Sequence, residues 1–128
     1  MKEMFINDIM PETLELADLS DIVFKDKNGV NADGANIVVM NTGVYNFSIM
    51  RFKNGVLTNS IDEEGRISPA IEGAGFVEYR TNGVLTNPEK DFPARICEGF
   101  NKREYWENGK CVRVSEKSYD KNDNAVWS

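Results

Sequence analysis

The acidic side chains and the two cysteines are the groups most able to do chemistry, because this 128-residue chain contains no histidine. The lack of histidine excludes Ser-His-Asp and Cys-His nucleophile systems and a histidine general base. Neighbouring carboxylates occur in residues 62–64 and at Glu78 and Glu104. Paired carboxylates can hydrolyse glycosidic bonds. Their placement on predicted turns and strands favours solvation and cross-strand pairing instead. We therefore expect no catalytic residues and no enzyme activity.

Metal and phosphate sites are not indicated either. Two cysteines cannot build a four-cysteine zinc site, and His-ligated zinc is excluded. Residues 26–34 contain Asp26, Asn28, Asn31 and Asp33 and so resemble a calcium loop in composition. They lack the ligand spacing of such a loop and its closing glutamate. No glycine-rich phosphate loop follows a strand and opens a helix. The sequence predicts no metal and no cofactor.

The location of the protein bears on the state of its two cysteines, Cys97 and Cys111. Acidic and polar residues interrupt the N-terminal apolar residues, unlike a signal peptide. The longest strongly apolar run, residues 37–40, is far shorter than the ~20 residues that span a bilayer. We expect no membrane span and a cytoplasmic location, where thiols stay reduced. A disulfide between the cysteines and a single reactive thiol are the alternatives.

Charge is concentrated near the N-terminus. The net charge is −6, and residues 1–26 alone carry −5. Acidity of this size argues against binding to nucleic acid. Arginines that alternate with aromatic residues after position 50 resemble a single-strand binding pattern, but neighbouring glutamates can pair with them. We expect no direct nucleic-acid partner. The acidic segment can steer a basic partner or can simply form a solvated surface.

An internal repeat organises the rest of the chain. Asn-Gly pairs begin at residues 28, 54, 82 and 108, and the words at 54–59 and 82–87 are both NGVLTN. Asn-Gly is the preferred pair for a type I′ turn, because both central residues need positive φ. Aromatic and β-branched residues flank the turns, as strands require. Each pair therefore predicts a hairpin turn, with strands at 37–40, 44–51, 75–80, 94–98 and 103–107.

The last hairpin allows a register to be predicted. With Asn108-Gly109 as a two-residue loop, Glu107 faces Lys110, and residue 106 faces residue 111. The same count places Tyr105 opposite residue 112 and residue 104 opposite residue 113. Before the repeats, residues 11–19 form the only plausible helix, with Pro11 at its first turn.

These features divide the chain into three parts. Residues 1–25 are an acidic N-terminal segment, residues 26–113 are the repeat β domain, and residues 114–128 are a C-terminal tail. The tail is either a frayed end or a segment that docks on the sheet through Trp127.

The third repeat carries a resemblance to a known family. It reads NGVLTNPEKDFPARI over residues 82–96, then Gly99, then EYWENGK over residues 104–110. This is similar to the MORN-variant repeats of bacterial and phage proteins, over about residues 50–113. The chain departs from the family at Thr58-Asn59 and Thr86-Asn87, where His-Arg is common. The resemblance implies a mainly β fold, an antiparallel sheet of stacked hairpin repeats, here with one short N-terminal helix.

The resemblance also implies an antitoxin-like or scaffold function in a bacterial or phage-infected host cell. We expect a protein-binding module that inhibits a larger effector, either a toxin or a nucleic-acid-guided defence nuclease. Its acids would occupy a basic nucleic-acid groove, and aromatic and arginine residues would anchor the contact. The alternative is a MORN-like scaffold that bridges proteins or membrane. A dimer through a sheet edge is also possible. The predicted binding residues are Tyr79, Arg103, Tyr105, Trp106, Glu12, Glu15, Asp18 and Asp21.

Overall fold

The computed structural model describes residues 2–40 and 46–128 and is mainly β. A 3-10 turn covers Ile6–Asp8, and one helix, α1, covers Pro11–Leu14. The strands, in chain order, are β1 (Lys2–Phe5), β2 (Ile22–Lys25), β3 (Gly34–Val39), β4 (Phe47–Lys53), β5 (Val56–Leu57), β6 (Ser60–Ile61), β7 (Ile67–Ser68), β8 (Ile71–Gly73), β9 (Phe76–Glu78), β10 (Arg80–Thr81), β11 (Val84–Leu85), β12 (Arg95–Cys97), β13 (Lys102–Glu107), β14 (Lys110–Tyr119) and β15 (Ala125–Trp127).

The centre of the molecule is a nine-stranded antiparallel sheet. Its order is β15-β14-β13-β12-β9-β8-β4-β3, with β5 beside β4. The strands β6 and β7 form a separate small hairpin, as do β10 and β11, and β1 and β2 form a parallel pair. The mainly β fold of stacked hairpins predicted from the repeats is therefore confirmed. Each predicted strand has a counterpart, although Val44 and Tyr45 lie outside the described residues.

Three of the four Asn-Gly pairs form the predicted turns. Both residues of each pair have positive φ. The two angles are 48° and 86° at Asn54-Gly55, 50° and 87° at Asn82-Gly83, and 48° and 83° at Asn108-Gly109. At Asn28-Gly29 only Gly29 has positive φ, so the turn is not of type I′, although Lys25 and Asn31 pair antiparallel across it as a hairpin requires. There Asp26 closes a longer loop, because its carboxylate accepts the N–H groups of Asn28 and Val30.

This aspartate-closed loop occurs three times. In each, one carboxylate oxygen accepts the N–H groups two and four residues later, as it does for Asp62 at Glu64 and Arg66. These hydrogen bonds hold the pKa of Asp62 below its ordinary value, with the Arg66 N–H as the largest cause. The pKa of Asp120 is lowered in the same way, chiefly by the Asn124 N–H. The loop recurs at the connections β2–β3, β6–β7 and β14–β15.

The predicted register of the last hairpin is correct for two pairs and then fails. Glu107 faces Lys110 and residue 106 faces residue 111, but Tyr105 faces Arg113. A β-bulge inserts Val112 into β14, which shifts every later pair by one residue. Glu104 consequently lies opposite residue 114, not opposite the arginine that the sequence suggested.

The Thr-Asn ending of the repeated word links consecutive repeats. Asn59 donates its backbone N–H to the Arg80 carbonyl and accepts the Arg80 N–H at its side-chain oxygen, at 2.8 and 2.9 Å. Asn87 makes the same two bonds with Trp106, at 2.9 and 2.8 Å. These paired bonds fix the position of each hairpin relative to the next.

The N-terminal residues pack on the repeats and share their core. The predicted helix over residues 11–19 is too long, because α1 ends at Leu14. The Leu14 carbonyl, which a helix continuing to residue 19 would use internally, accepts a hydrogen bond from Arg80 instead. Residues 14–24, here called the strap, bury Leu14, Leu19 and Phe24 among side chains of the sheet.

The strap runs across the row of Asn-Gly turns. Phe24 donates its N–H to the Gly55 carbonyl, and Leu19 donates to the Gly83 carbonyl. Gly83 has φ 87°, and a Cβ atom there would lie 2.8 Å from the Ser20 nitrogen. Glycine at this turn therefore satisfies two constraints, a left-handed backbone and a close approach by the strap.

Arg80 fastens the strap to the sheet. The residue lies in the place that Phe52 holds in the preceding repeat, two residues before the turn, and its side chain is fully buried. Its guanidinium donates to Glu78 Oε1 at 2.5 Å. It also donates to carbonyls of the strap and of the turn, those of Leu14, Leu16, Ala17 and Gly83.

A ladder of alternating charge continues from Arg80 across the sheet. Glu78 is fully buried and faces Arg95, which in turn faces Glu104. The Arg95–Glu78 and Arg95–Glu104 distances are 3.5 and 3.7 Å, and Lys102 lies 3.7 Å from Glu104. These charges form part of the interior beyond β9, whereas the apolar core lies under β3, β4, β8 and β9.

We expect Gly83→Ala to destabilise the fold more than Gly65→Ala. Both glycines have a φ near 80°, so both variants incur about 1–2 kcal/mol of left-handed strain. Only Gly83 is in contact with the strap, since nothing lies within 4 Å of a Cβ on Gly65. Urea unfolding of both variants measures the difference. Equal destabilisation would contradict the close approach of the strap.

We expect Arg80→Met to lower the free energy of unfolding by about 3–5 kcal/mol, because it leaves the Glu78 carboxylate buried without its closest cation. Hydrogen exchange should show the largest loss of protection in the strap. Arg66→Met is the matched control. Arg66 pairs with Asp62 and Glu64 at an exposed position, and we expect its loss to cost less than about 1 kcal/mol. Similar losses in both variants would contradict the role of Arg80.

Candidate interaction surfaces

The sheet has an inner face toward the strap and an outer face, on which Phe92 of the β11–β12 connection contacts Tyr79. Side chains alternate between the faces along each strand. Met50, Phe76 and Glu78 lie on the inner face and are buried. Register places Ile96 and Arg103 on the outer face, opposite each other.

The four predicted anchor residues are divided between the two faces. Tyr79, Arg103 and Tyr105 lie on the outer face, but the Trp106 indole lies on the inner face, where its Nε1 donates to Glu104 at 3.0 Å. The sequence prediction treated adjacent aromatic residues as one group, whereas the two-residue period of a strand separates Tyr105 from Trp106.

Tyr79 is half-buried on the outer face. Its ring meets Phe92 edge to face, with centroids 5.5 Å apart. Burial raises the pKa of its hydroxyl, and the nearby Glu72 carboxylate adds to this rise. Arg51, also near this hydroxyl, forms an ion pair with Glu72. Tyr79 thus remains neutral, with part of its ring available to a partner.

Tyr105 is only 8% exposed, and Arg113 stacks on its ring. The Arg113 guanidinium carbon lies 4.0 Å from the centre of the Tyr105 ring. Tyr105 therefore offers little of its own ring to a partner. The group that this position presents to solvent is the guanidinium of Arg113.

Two further pairs of a cation and a ring occupy the same face. The Arg103 guanidinium carbon lies 3.7 Å from the centre of the Trp127 ring, and Lys117 Nζ lies 5.5 Å from that of Tyr119. Trp127 reaches this position because β15 pairs with the end of β14, so the tail docks on the sheet. Residues 113, 115, 117 and 119 alternate in the sequence as one strand face, a signal that the assignment of residues 114–128 to a tail obscured.

The acids of the N-terminal segment are exposed on a backbone that is held in place. Glu12, Glu15, Asp18 and Asp21 all point to solvent, while Leu14 and Leu19 between them are buried. Asp18 accepts the hydroxyl and N–H of Ser20, and these bonds lower its pKa. The acidic residues therefore form an ordered surface rather than a loose tail.

Two concave regions of similar size lie at equivalent places in successive repeats. One, of about 580 Å³, includes Thr58, Asn59 and Asn82 in its lining. The other, of about 600 Å³, includes Asn87 and Asn108. Each lies between the Thr-Asn end of one repeat and the turn of the next. The side-chain oxygens of Asn59 and Asn87 already accept the hydrogen bonds that link consecutive repeats.

The oxygen atoms of the calcium-like segment are used for other bonds. Asp26 closes its loop, Asn31 Oδ1 accepts Lys25 Nζ, and Asp33 Oδ1 accepts the Asn54 N–H. Within residues 2–40 and 46–128, no group of three or more acidic or cysteine side chains is placed to hold a metal ion. Glu78, one of the carboxylates considered for catalysis, is fully buried and lies against Arg80 and Arg95.

Both cysteines are free thiols in different environments. Cys97 is half-buried, and burial raises the pKa of its thiol, with the Glu104 carboxylate as the next cause. Cys111 lies exposed near the last hairpin turn. Of the alternatives that the sequence left open, the structure therefore shows two unpaired thiols.

Comparison of the chain with protein-family models, with curated proteins and with solved structures gave no significant match. Among the described residues, no helix has both the length and the apolar character needed to cross a membrane.

We expect a thiol reagent to label Cys111 first and Cys97 much more slowly at pH 8. The thiolate is the reactive form, and its fraction at Cys97 is reduced by the raised pKa. Stopped-flow labelling should show two phases, and Cys111→Ser should remove the fast one. A single fast phase from both thiols would contradict the burial of Cys97.

Proposed function

We propose that this chain is a non-enzymatic protein-binding module that inhibits a larger effector through its acidic N-terminal surface. The effector would be a toxin or a nucleic-acid-guided nuclease of a bacterial or phage-infected cell, as the MORN-variant resemblance suggests. The observation that carries the proposal is the ordered, exposed set of acids at Glu12, Glu15, Asp18 and Asp21.

The physical support is that the acids stand on a backbone fixed before binding. Leu14 and Leu19 bury their side chains, and Arg80 holds the carbonyls between them. A surface that is already ordered loses less conformational entropy on association than a loose tail does. Negative charges on it match a groove built for phosphates, and they raise the association rate with a basic partner.

We expect Glu12→Lys/Glu15→Lys/Asp21→Lys to abolish inhibition of the effector. The protein, tagged and incubated with lysate of its host, is used to isolate a partner, and inhibition of that purified partner is then measured. Asp18 is left unchanged because it orders the turn at Ser20. The matched control is Glu63→Lys/Glu89→Lys/Glu116→Lys, which changes net charge equally at exposed positions elsewhere.

Loss of inhibition in both variants would show that net charge, not this surface, is responsible. Full inhibition by the N-terminal variant would refute the acidic surface outright. Isolation of many weak partners, or of none, would favour the alternative function, a scaffold that bridges proteins. One observation supports that alternative: the edge strand β3 and its neighbour β4 expose Ile37, Val39 and Phe47 at about 60% each. A free edge of this kind also suits a dimer.

A further inference from the structure

The outer face of β13–β15 carries cations that no carboxylate neutralises. Arg103, Arg113 and Lys117 make no salt bridge among the residues that the structure describes. The inner-face cations Arg80 and Arg95, by contrast, both contact glutamates. We call the outer-face group the basic face; it comprises Arg103, Arg113, Lys117, Tyr105, Tyr119 and Trp127.

Negative charge near the basic face lies at the turn end of β13, where Glu89, Asp91 and Glu107 line a concave region together with Tyr105 and Arg113. Register places Ser115 opposite Arg103 and Ala125 opposite Tyr119, and beyond the bulge no acid lies on this side of β13–β15. Glu107, on the turn side of the bulge, faces Lys110. Positive charge is thus segregated on one surface of a protein whose net charge is −6. An anionic partner would complement it.

The rings hold the two guanidinium groups in place. Arg103 stacks on Trp127 at 3.7 Å and Arg113 on Tyr105 at 4.0 Å. A guanidinium stacked by its flat side keeps its N–H donors free at the edge, where they fit a carboxylate or a phosphate. Because the side chains are already ordered, binding costs less entropy than it would at free arginines.

The same stacking favours carboxylates over single-stranded nucleic acid. Nucleic-acid strands need open aromatic rings on which bases can stack. Arg103 and Arg113 cover the Trp127 and Tyr105 rings, and only Tyr119 is widely exposed, at 61%. A long polyphosphate would also be repelled by the acidic remainder of the molecule. A short acidic peptide can contact the basic face without reaching the acidic remainder of the molecule.

We propose that the basic face is a second binding surface, which takes an acidic peptide segment of a partner protein. Its carboxylates pair with Arg103, Arg113 and Lys117. This surface shares no residue with the acidic N-terminal surface, so the two proposals can fail separately.

Fluorescence anisotropy with a labelled peptide of alternating Glu and Ser tests the proposal. Oligo-dT of equal charge is the comparison probe. We expect the peptide to bind at about 0.01 M ionic strength and to bind more weakly at about 0.15 M, because exposed ion pairs are screened. We expect oligo-dT to bind more weakly than the peptide at both.

We expect Arg103→Gln/Arg113→Gln/Lys117→Gln to weaken peptide binding by about tenfold or more, since three screened pairs are lost together. The control Lys2→Gln/Lys27→Gln/Lys53→Gln removes the same charge from exposed positions elsewhere and should change binding less than about twofold. Arg103→Lys/Arg113→Lys keeps the charge but removes the planar fork, so we expect an intermediate loss. Circular dichroism confirms that each variant is folded.

Three results of the binding assay would overturn the proposal. The first is equal weakening by the glutamine variant and its control, which would make binding a matter of net charge. The second is tighter binding of oligo-dT, which would make the ligand nucleic acid. The third is the absence of peptide binding at low ionic strength. Salt-reversible self-association in sedimentation at low ionic strength would likewise overturn the proposal, because another copy's acids, not a partner's peptide, would occupy the basic face.

Discussion

A single buried guanidinium, that of Arg80, connects the parts of this structure. A fully buried charge is tolerated only when its hydrogen-bonding groups and its charge are both matched. Arg80 meets both conditions by taking Glu78 as its ion partner and the carbonyls of Leu14, Leu16 and Gly83 as acceptors. The helix must end where it does, and the strap must lie where it does, for those acceptors to be in place.

The Arg80–Glu78 ion pair also affects which side chains lie on the outer face of the sheet. Glu78 faces Arg95, and Arg95 faces Glu104, so negative and positive charges alternate across β9, β12 and β13. A ladder of this kind constrains register, because a one-residue slip would bring side chains to the wrong face. With the inner face of β13 fixed by charge, Arg103 is fixed on the outer face, where its guanidinium stacks on Trp127.

The sequence predicted those features that depend on local backbone preference. Asn-Gly indicates a type I′ turn from φ alone, and three such turns are present. Features that depend on distant partners were missed. Asn59 and Asn87 act on the next repeat, Val112 forms a bulge, and Arg80 breaks the apolar pattern at a position where Phe52 sits in the neighbouring repeat. No local pattern distinguishes a buried arginine from an exposed one.

The two charged surfaces follow from one principle applied to different elements. Between residues 12 and 21, Leu14 and Leu19 point into the core and the acidic side chains point to solvent. On β13 and β14, strand alternation sends Glu104 inward to the ladder and the arginines outward to the rings. The separation of acidic and basic surfaces therefore follows from which side chains the interior takes up. Because each surface lies on an ordered backbone, each can recognise a partner of opposite charge with a small entropic loss.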